Sequence, residues 1–249
     1  MNLDGKTALV TGGTKGIGAA TAVALAARGA NVAINGRHDD ADAREVLARI
    51  EALGRRGAIV LADIAKPAGA IRAVEEAADR LGPVDVLFHN AGAPVQGNLL
   101  DIPPERWHEA FDLHVHAAFY LCRAVVPAMR QKGEGAIVLM SSVAGIRGIP
   151  MNIAYQVVKG AIPQFVRALA REFAADGIRV NAVAPGIIRT RFHDGMPEEQ
   201  KRVNTEQRIP LGCEGQPEHV ATAVVELATN DYITGETLVV DGGLTMRIA

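Results

Sequence analysis

The chain has 249 residues, 49% of them hydrophobic, with 26 Lys and Arg against 28 Asp and Glu. That length suits one α/β domain over residues 1–249, and the net charge of −2 leaves no positive field to recruit nucleic acid or an anionic membrane. Cys122 and Cys213 stand in no metal-like or redox-like spacing, no basic-plus-apolar leader opens the chain, and the small-apolar run 19–27 is too short to cross a bilayer, so a soluble cytoplasmic protein without a disulfide framework is expected.

A first strand is predicted at 7–10. It runs into Thr11-Gly12-Gly13-Thr14-Lys15-Gly16-Ile17-Gly18 and then an alanine-rich helix at 18–28. A strand, a glycine turn and a helix start make a phosphate cradle: glycines let backbone N–H groups approach an anion, and the helix N-terminus adds unpaired donors. The spacing is a variant of the dinucleotide fingerprint. A second strand at 31–35 ends in Gly36-Arg37-His38, with no acid at the usual ribose-binding position. Arg37 could therefore pair with a 2′-phosphate, and Lys15 could approach it from the other side. This pair points to NADP(H), with NAD possible, unless both cations are only solvated surface charges. Asp39 and Asp40 follow, and N-capping the helix at 40–53 is their expected work.

Further strands are predicted at 58–61, 84–89, 136–140, 179–183 and 237–240, alternating with helices at 68–81, 104–131, 154–175 and 217–228. The middle strands are continuously apolar, the pattern of strands buried on both faces. Right-handed crossovers then give a doubly wound parallel sheet of about seven strands with helices on both faces. Residues 187–211 break the alternation. They are polar, interrupted by Gly195, Pro197 and Pro210, and predict a loop insertion with a short helix near 197–207, either a lid over a substrate or a solvated excursion.

Two elements carry candidate chemistry. Ser142 follows the strand 136–140 at the carboxyl edge, where such sheets bind ligands; its hydroxyl could orient a substrate oxygen or simply cap a turn, with Ser141 pointing elsewhere. Tyr155 and Lys159 are four apart on a helix and share a face. An ammonium ~4 Å from a phenol of pKa ~10, at an effective dielectric of ~20, contributes ~4 kcal/mol, about three pKa units. That would bring Tyr155 toward neutrality as a general acid/base. The plain alternative is an exposed helical pair.

Taken together, Thr11-Gly12-x-x-x-Gly16-x-Gly18, Asn90-Ala91-Gly92, Ser142, Tyr155-x-x-x-Lys159, Pro185-Gly186-Ile187-Ile188-Arg189-Thr190 and Val240-Asp241-Gly242-Gly243 resemble the short-chain dehydrogenase/reductase family over nearly the whole chain. The resemblance implies a Rossmann fold and NAD(P)-dependent redox chemistry at an alcohol or ketone carbon. It implies that Asp63 contacts adenine with Ile64 beside it, and that Asn90, Ala91 and Gly92 steady the sheet next to the cofactor. Ser142, Tyr155 and Lys159 would be catalytic, with Lys159 also on the nicotinamide ribose. Pro185 and Gly186 would lead a segment over the nicotinamide, where Ile188 and Thr190 hold the carboxamide. A homotetramer built on the helices 104–131 and 154–175 and on the C-terminal strand is implied as well.

The chain departs from the family pattern in places. Asp112-Leu113-His114-Val115 puts His114 where the family carries an Asn thought to anchor a relay water to the lysine. A neutral imidazole has a donor and an acceptor for that water and would add a titration near neutral pH; the opposite reading is a weakened relay. His114 and His116 face different directions on a helix and do not read as a metal pair. Pro163 cannot donate to the carbonyl of Lys159, four residues back, and should bend the helix.

Substrate walls are expected from residues 93–97, 143–152 and 187–211, with Gln96, Arg147, Met151, Asn152, Arg189, Arg191, Phe192 and His193 suited to a small polar or carboxylated carbonyl compound or a polyol. Within the family the chain also resembles 3-oxoacyl-carrier-protein reductases and sugar or gluconate dehydrogenases, which implies a 3-oxoacyl or sugar substrate. Arg189 and Arg191 could meet an acidic carrier protein. The reading is an NADP(H)-dependent oxidoreductase of a small-molecule ketone or secondary alcohol; the alternative is a dinucleotide-binding regulator or scaffold. A sugar-nucleotide epimerase is disfavoured by the glycine spacing.

Overall fold

Every position from Thr7 to Thr11 and from Gly135 to Met140 is buried, so these strands need an apolar layer on each face. The computed structural model, which describes residues 1–191 and 195–246, supplies both layers. The described strands are β1 (Thr7–Thr11), β2 (Asn31–Gly36), β3 (Gly57–Leu61), β4 (Val86–His89), β5 (Gly135–Met140), β6 (Ile178–Pro185) and β7 (Thr237–Val240). All pairings are parallel, in the order β3-β2-β1-β4-β5-β6-β7.

The helices are α1 (Gly16–Ala27), α2 (Ala41–Ala52), α3 (Pro67–Leu81), α4 (Pro104–Phe111), α5 (Ala117–Lys132), α6 (Ile153–Phe173), α7 (Glu198–Val203) and α8 (Pro217–Thr229). Alternate strand residues feed opposite cores. Leu9, Leu87, Ile137 and Leu139 pack with Val74, Leu121, Val125 and Ile162 of α3, α5 and α6. Val10, Ile34, Phe88 and Val138 pack with Leu25, Val46 and Val224 of α1, α2 and α8. Each fully buried side chain of this size contributes roughly 1.5–3 kcal/mol, and the continuous apolar strands follow from serving both layers.

The predicted strands all form, with ends shifted by up to two residues. The predicted helix 104–131 runs as one rod, but a π-helical turn, Asp112–His116, separates α4 from α5. Helix α6 passes through Pro163 without a break. Asp40 caps α2, its carboxylate accepting the Ala43 N–H at 3.0 Å. The short helix expected in the polar insertion is α7, followed by a second π-helical turn at Asn204–Arg208. No helix among the described residues is long and apolar enough to cross a membrane.

The chain builds β1, β2 and β3 outward in one direction and then places β4 on the other side of β1. At such a reversal the connections leave the carboxyl ends of the strands in opposite directions and open a crevice. Thr11, His89 and Met140 end the three strands beneath it.

Candidate active site

A cleft of about 940 Å³ lies over these strand ends. One end is built by the glycine turn. Gly12 and Gly16 have φ of +59° and +53°, a conformation that favours glycine. A Cβ on Gly12 would sit 2.9 Å from the Ala91 Cα. No side chain caps the N-terminus of α1, its first turn holds no acid, and a cation, Lys15, occupies the capping position. Such a helix start leaves N–H donors and a positive dipole end unsatisfied, which suits an anion. Asn90 ties the turn to β4 by donating to the carbonyls of Thr11 and Gly12 at 3.2 and 3.0 Å.

Gly12, Thr14, Lys15, Gly16, Ile17, Arg37, Asp63, Ile64, Asn90, Ala91, Gly92, Pro185, Gly186, Ile188 and Thr190 line this cleft together with His114, Ser142, Tyr155 and Lys159. Gly18 does not. A Cβ there would lie 2.1 Å from the Gly12 carbonyl oxygen, so Gly18 serves the close packing of helix on turn.

The charges near Arg37 differ from the expectation of two cations with no acid. Lys15 is paired with Asp40 at 3.1 Å and Asp42 at 2.9 Å, and these carboxylates raise its pKa. Asp40 thus faces the cleft as well as capping α2. Asp42 also accepts from Arg191 at 2.8 Å. Arg37 is exposed at the rim.

At the other end, Tyr155 and Lys159 face one space. The Lys159 Nζ lies 5.7 Å from the centroid of the Tyr155 ring and donates to the Met140 carbonyl at 2.8 Å. Lys159 is 3% exposed, and the exposed-pair reading is therefore set aside. Burial pushes the Lys159 ammonium down to about 7 and the Tyr155 phenol up, while a hydrogen bond from Ser142 pulls the phenol back. The expected lowering of the phenol by the ammonium is thus outweighed by desolvation. Ser142 caps the turn, its Oγ accepting the Ala144 N–H at 3.1 Å, and it also bonds Tyr155, a contact not anticipated from the sequence. Ser141 turns the other way and donates to the Lys159 carbonyl at 2.9 Å.

His114 is 2% exposed and its ring stands edge-on to Tyr155, centroids 5.7 Å apart. Its Nε2 lies 3.1 Å from the Ala93 carbonyl oxygen, while Nδ1 is buried with no hydrogen-bond partner among the described residues. Burial, with the Lys159 charge nearby, lowers its pKa to about 2. The titration near neutral pH expected from the sequence is corrected: this imidazole stays neutral. His116 is exposed and bonds Asp112 at 2.8 Å.

His89 is a group the sequence reading missed. The Thr11 hydroxyl oxygen accepts the N–H groups of Asn90 and Ala91, both at 3.2 Å, which leaves its own proton to donate to His89 Nδ1 at 2.9 Å. His89 therefore carries its proton on Nε2, and burial holds it neutral with a pKa of about 3. The available signal was a histidine inside an otherwise apolar strand.

The substrate walls are only partly as expected. Ala93, Ile188, Thr190 and Arg191 reach the cleft. The loops 93–97 and 143–152 instead pair with each other through Gly97 and Asn152, and Gln96 is not among the lining residues. Arg147 donates to the Thr245 carbonyl at 3.1 Å, Arg189 is paired with Glu214 at 3.4 Å, and Met151 is exposed. Phe192 and His193 lie outside the described residues.

A family model described as enoyl-(acyl carrier protein) reductase matches residues 12–245. The L-rhamnose 1-dehydrogenase (NAD(P)(+)) of Sphingomonas sp. (strain SKA58) is 38% identical over 99% of this chain and 98% of its own length. The 3-oxoacyl-[acyl-carrier-protein] reductase of Escherichia coli (strain K12) is 36% identical over 99% of this chain and 100% of its own. The crystal structure of L-sorbose reductase from Gluconobacter frateurii, complexed with NADPH and L-sorbose, superposes with a TM-score of 0.91 at 30% identity, covering 100% of both chains.

Proposed function

The chain belongs to the short-chain dehydrogenase/reductase family, and from that premise we propose that it is an NADP(H)-dependent oxidoreductase interconverting a ketone and a secondary alcohol on a small polar molecule such as a sugar or polyol. One observation carries the reading: a partly buried phenol, a hydroxyl and a buried amine, Tyr155, Ser142 and Lys159, meet at one end of a cleft whose other end is a glycine turn.

The residues suit a pyridine dinucleotide. The positive φ of Gly12 and Gly16 and the uncapped start of α1 suit a pyrophosphate. Asp63 and Ile64 would flank the adenine, Asn90, Ala91 and Gly92 the middle, and Pro185, Gly186, Ile188 and Thr190 the nicotinamide. When bound, the nicotinamide supplies or accepts the hydride. Tyr155 Oη gives its proton to the substrate oxygen in reduction and takes it back in oxidation. Ser142 donates to the phenol oxygen and orients the substrate oxygen. Lys159, fixed by the Met140 carbonyl, sets its charge beside the phenolate as that forms and would also hold the nicotinamide ribose. His114 stays neutral and offers its bare Nδ1 as an acceptor in the proton path toward Lys159.

The preference for NADP(H) rests on Arg37, and on Lys15 exchanging Asp40 and Asp42 for a 2′-phosphate. The L-sorbose reductase with NADPH is in accord with it. The small-substrate reading is favoured over a carrier protein because Arg189 and Arg191 already have carboxylate partners in Glu214 and Asp42. The scaffold alternative gains nothing from a cleft in which the three groups converge. We also infer a homotetramer, with segment 187–211 acting as the substrate loop of a single domain.

The test is a panel of ketoses, aldoses, polyols and 3-oxoacyl thioesters read as NADPH absorbance. Turnover on a sugar or polyol that falls by about 10²–10⁴ in Tyr155→Phe, with NADPH binding retained, is the expected result. Retained turnover in Tyr155→Phe would remove the phenol from the reaction. Arg37→Ala should weaken NADPH about tenfold or more while leaving NADH nearly unchanged; equal losses would sink the NADP assignment.

A further inference from the structure

In α6, the carbonyl of Lys159 has as its helical donor the residue four positions on, and that residue is Pro163, which has no N–H. A buried carbonyl left without a donor loses its hydration with nothing in exchange. The Ser141 hydroxyl, 1% exposed, donates to this carbonyl at 2.9 Å. Ser141 is itself held on the sheet, its N–H donating to the Val183 carbonyl at 2.8 Å. The residue before it, Met140, accepts the Lys159 Nζ at 2.8 Å. Two consecutive residues, the last of β5 and the one that follows it, therefore grip one lysine at both its main chain and its tip. The approach is close because Gly145 follows: a Cβ there would lie 2.5 Å from the Lys159 carbonyl carbon.

We propose that Ser141 and Pro163 are a positioning pair for Lys159, in which the proline withholds the helical N–H and the serine supplies the replacement donor, so that α6 is registered on β5 at the lysine. The inference deepens the reading above, in which Lys159 works beside Tyr155. Ser141 touches no reacting atom; it acts through Lys159. A proline in the middle of a helix is ordinarily a defect. Here it reserves a carbonyl for the sheet.

The test uses the full chain as Ser141→Ala, Pro163→Ala and the double variant. Ser141→Ala should lower kcat about tenfold with the NADPH KM within about twofold. In the Pro163→Ala background, where the helix supplies its own N–H, the same change should cost less than about twofold. An equal loss in both backgrounds, or none in either, overturns the proposal. A second readout needs neither substrate nor cofactor: the NMR signal of the Lys159 Cε, assigned by its loss in Lys159→Met, should shift in Ser141→Ala and return in the double variant. A signal indifferent to Ser141→Ala, or one that does not return, also overturns it. Should Ser141→Ala fail to fold, recovery of the fold and of the parent Lys159 signal in the double variant supports the pair, and lack of recovery refutes it. Absence of turnover on the whole substrate panel would count against the redox reading alone, since the NMR arm still decides this one.

Discussion

Two buried imidazoles contribute to how this chain meets acid. His114 and His89 have pKa values of about 2 and about 3, both lowered from the ordinary 6.5, because burial penalises the charged ring and Lys159 lies near. The unfolded chain takes up their protons first as pH falls below 6.5. Their contribution to stability is therefore complete above pH 6.5 and is lost progressively as pH falls toward about 3 and about 2. At pH 5 each costs about 2 kcal/mol relative to pH 7, from 1.36 kcal/mol per pKa unit. His114→Asn removes one of the two sites, so urea unfolding at pH 7 and pH 5 should show a drop smaller by about 2 kcal/mol than in the parent. An identical drop would mean that the ring is charged in the folded state. The same neutrality has a catalytic corollary: substituting His114 changes the level of activity while the shape of its pH profile above pH 6 stays as it was.

At the scale of elements, what the pattern predicts and what it hides have separate causes. The strands could be read because two-sided burial demands unbroken apolar runs such as Gly135–Met140. The π-helical turn at Asp112–His116 could not, because widening one helical turn alters no polarity and no composition; it shows only as the buried seat of His114 beside an exposed His116. The glycine turn was readable in type but not in the division of work among its glycines. Gly18 packs where Gly12 and Gly16 line. Gly18→Ala must move the Gly12 carbonyl, at a cost of about 1–3 kcal/mol, and should weaken NADPH binding with it, because the displaced carbonyl belongs to the cradle. Gly54→Ala is the control: φ is +73° with nothing within 4 Å, so it should cost about 1 kcal/mol in left-handed strain and leave NADPH binding alone. Melting temperature and NADPH fluorescence titration on the two variants check this; a Gly18→Ala protein with parental affinity would contradict it.

Over the whole molecule, sequence reasoning located the cleft because sheet topology brings the carboxyl ends of β1, β4 and β5 together wherever strands and helices alternate in this order. It did not foresee contacts between residues remote in the chain. Asp42 meets Arg191 and Arg147 meets the Thr245 carbonyl, pairings that no local pattern encodes. Among the described residues, the last strand of the sheet has one edge without a strand partner. β7 is the last strand of the order, and its Leu238 and Val239 are 39% and 38% exposed, with Tyr232 nearby in sequence at 97%. An open apolar edge invites pairing unless something covers it, and in a closed symmetric assembly the natural cover is the same strand of a second copy. One such two-fold contact closes a dimer, and the proposed tetramer needs a second interface besides; the parent should therefore run as a dimer or larger in size-exclusion chromatography with light scattering. Val239→Lys sets like charges opposite each other across a two-fold axis and should yield smaller species with unchanged circular dichroism. A monomeric parent, or a lysine variant of parental mass, would show that β7 does not form the contact.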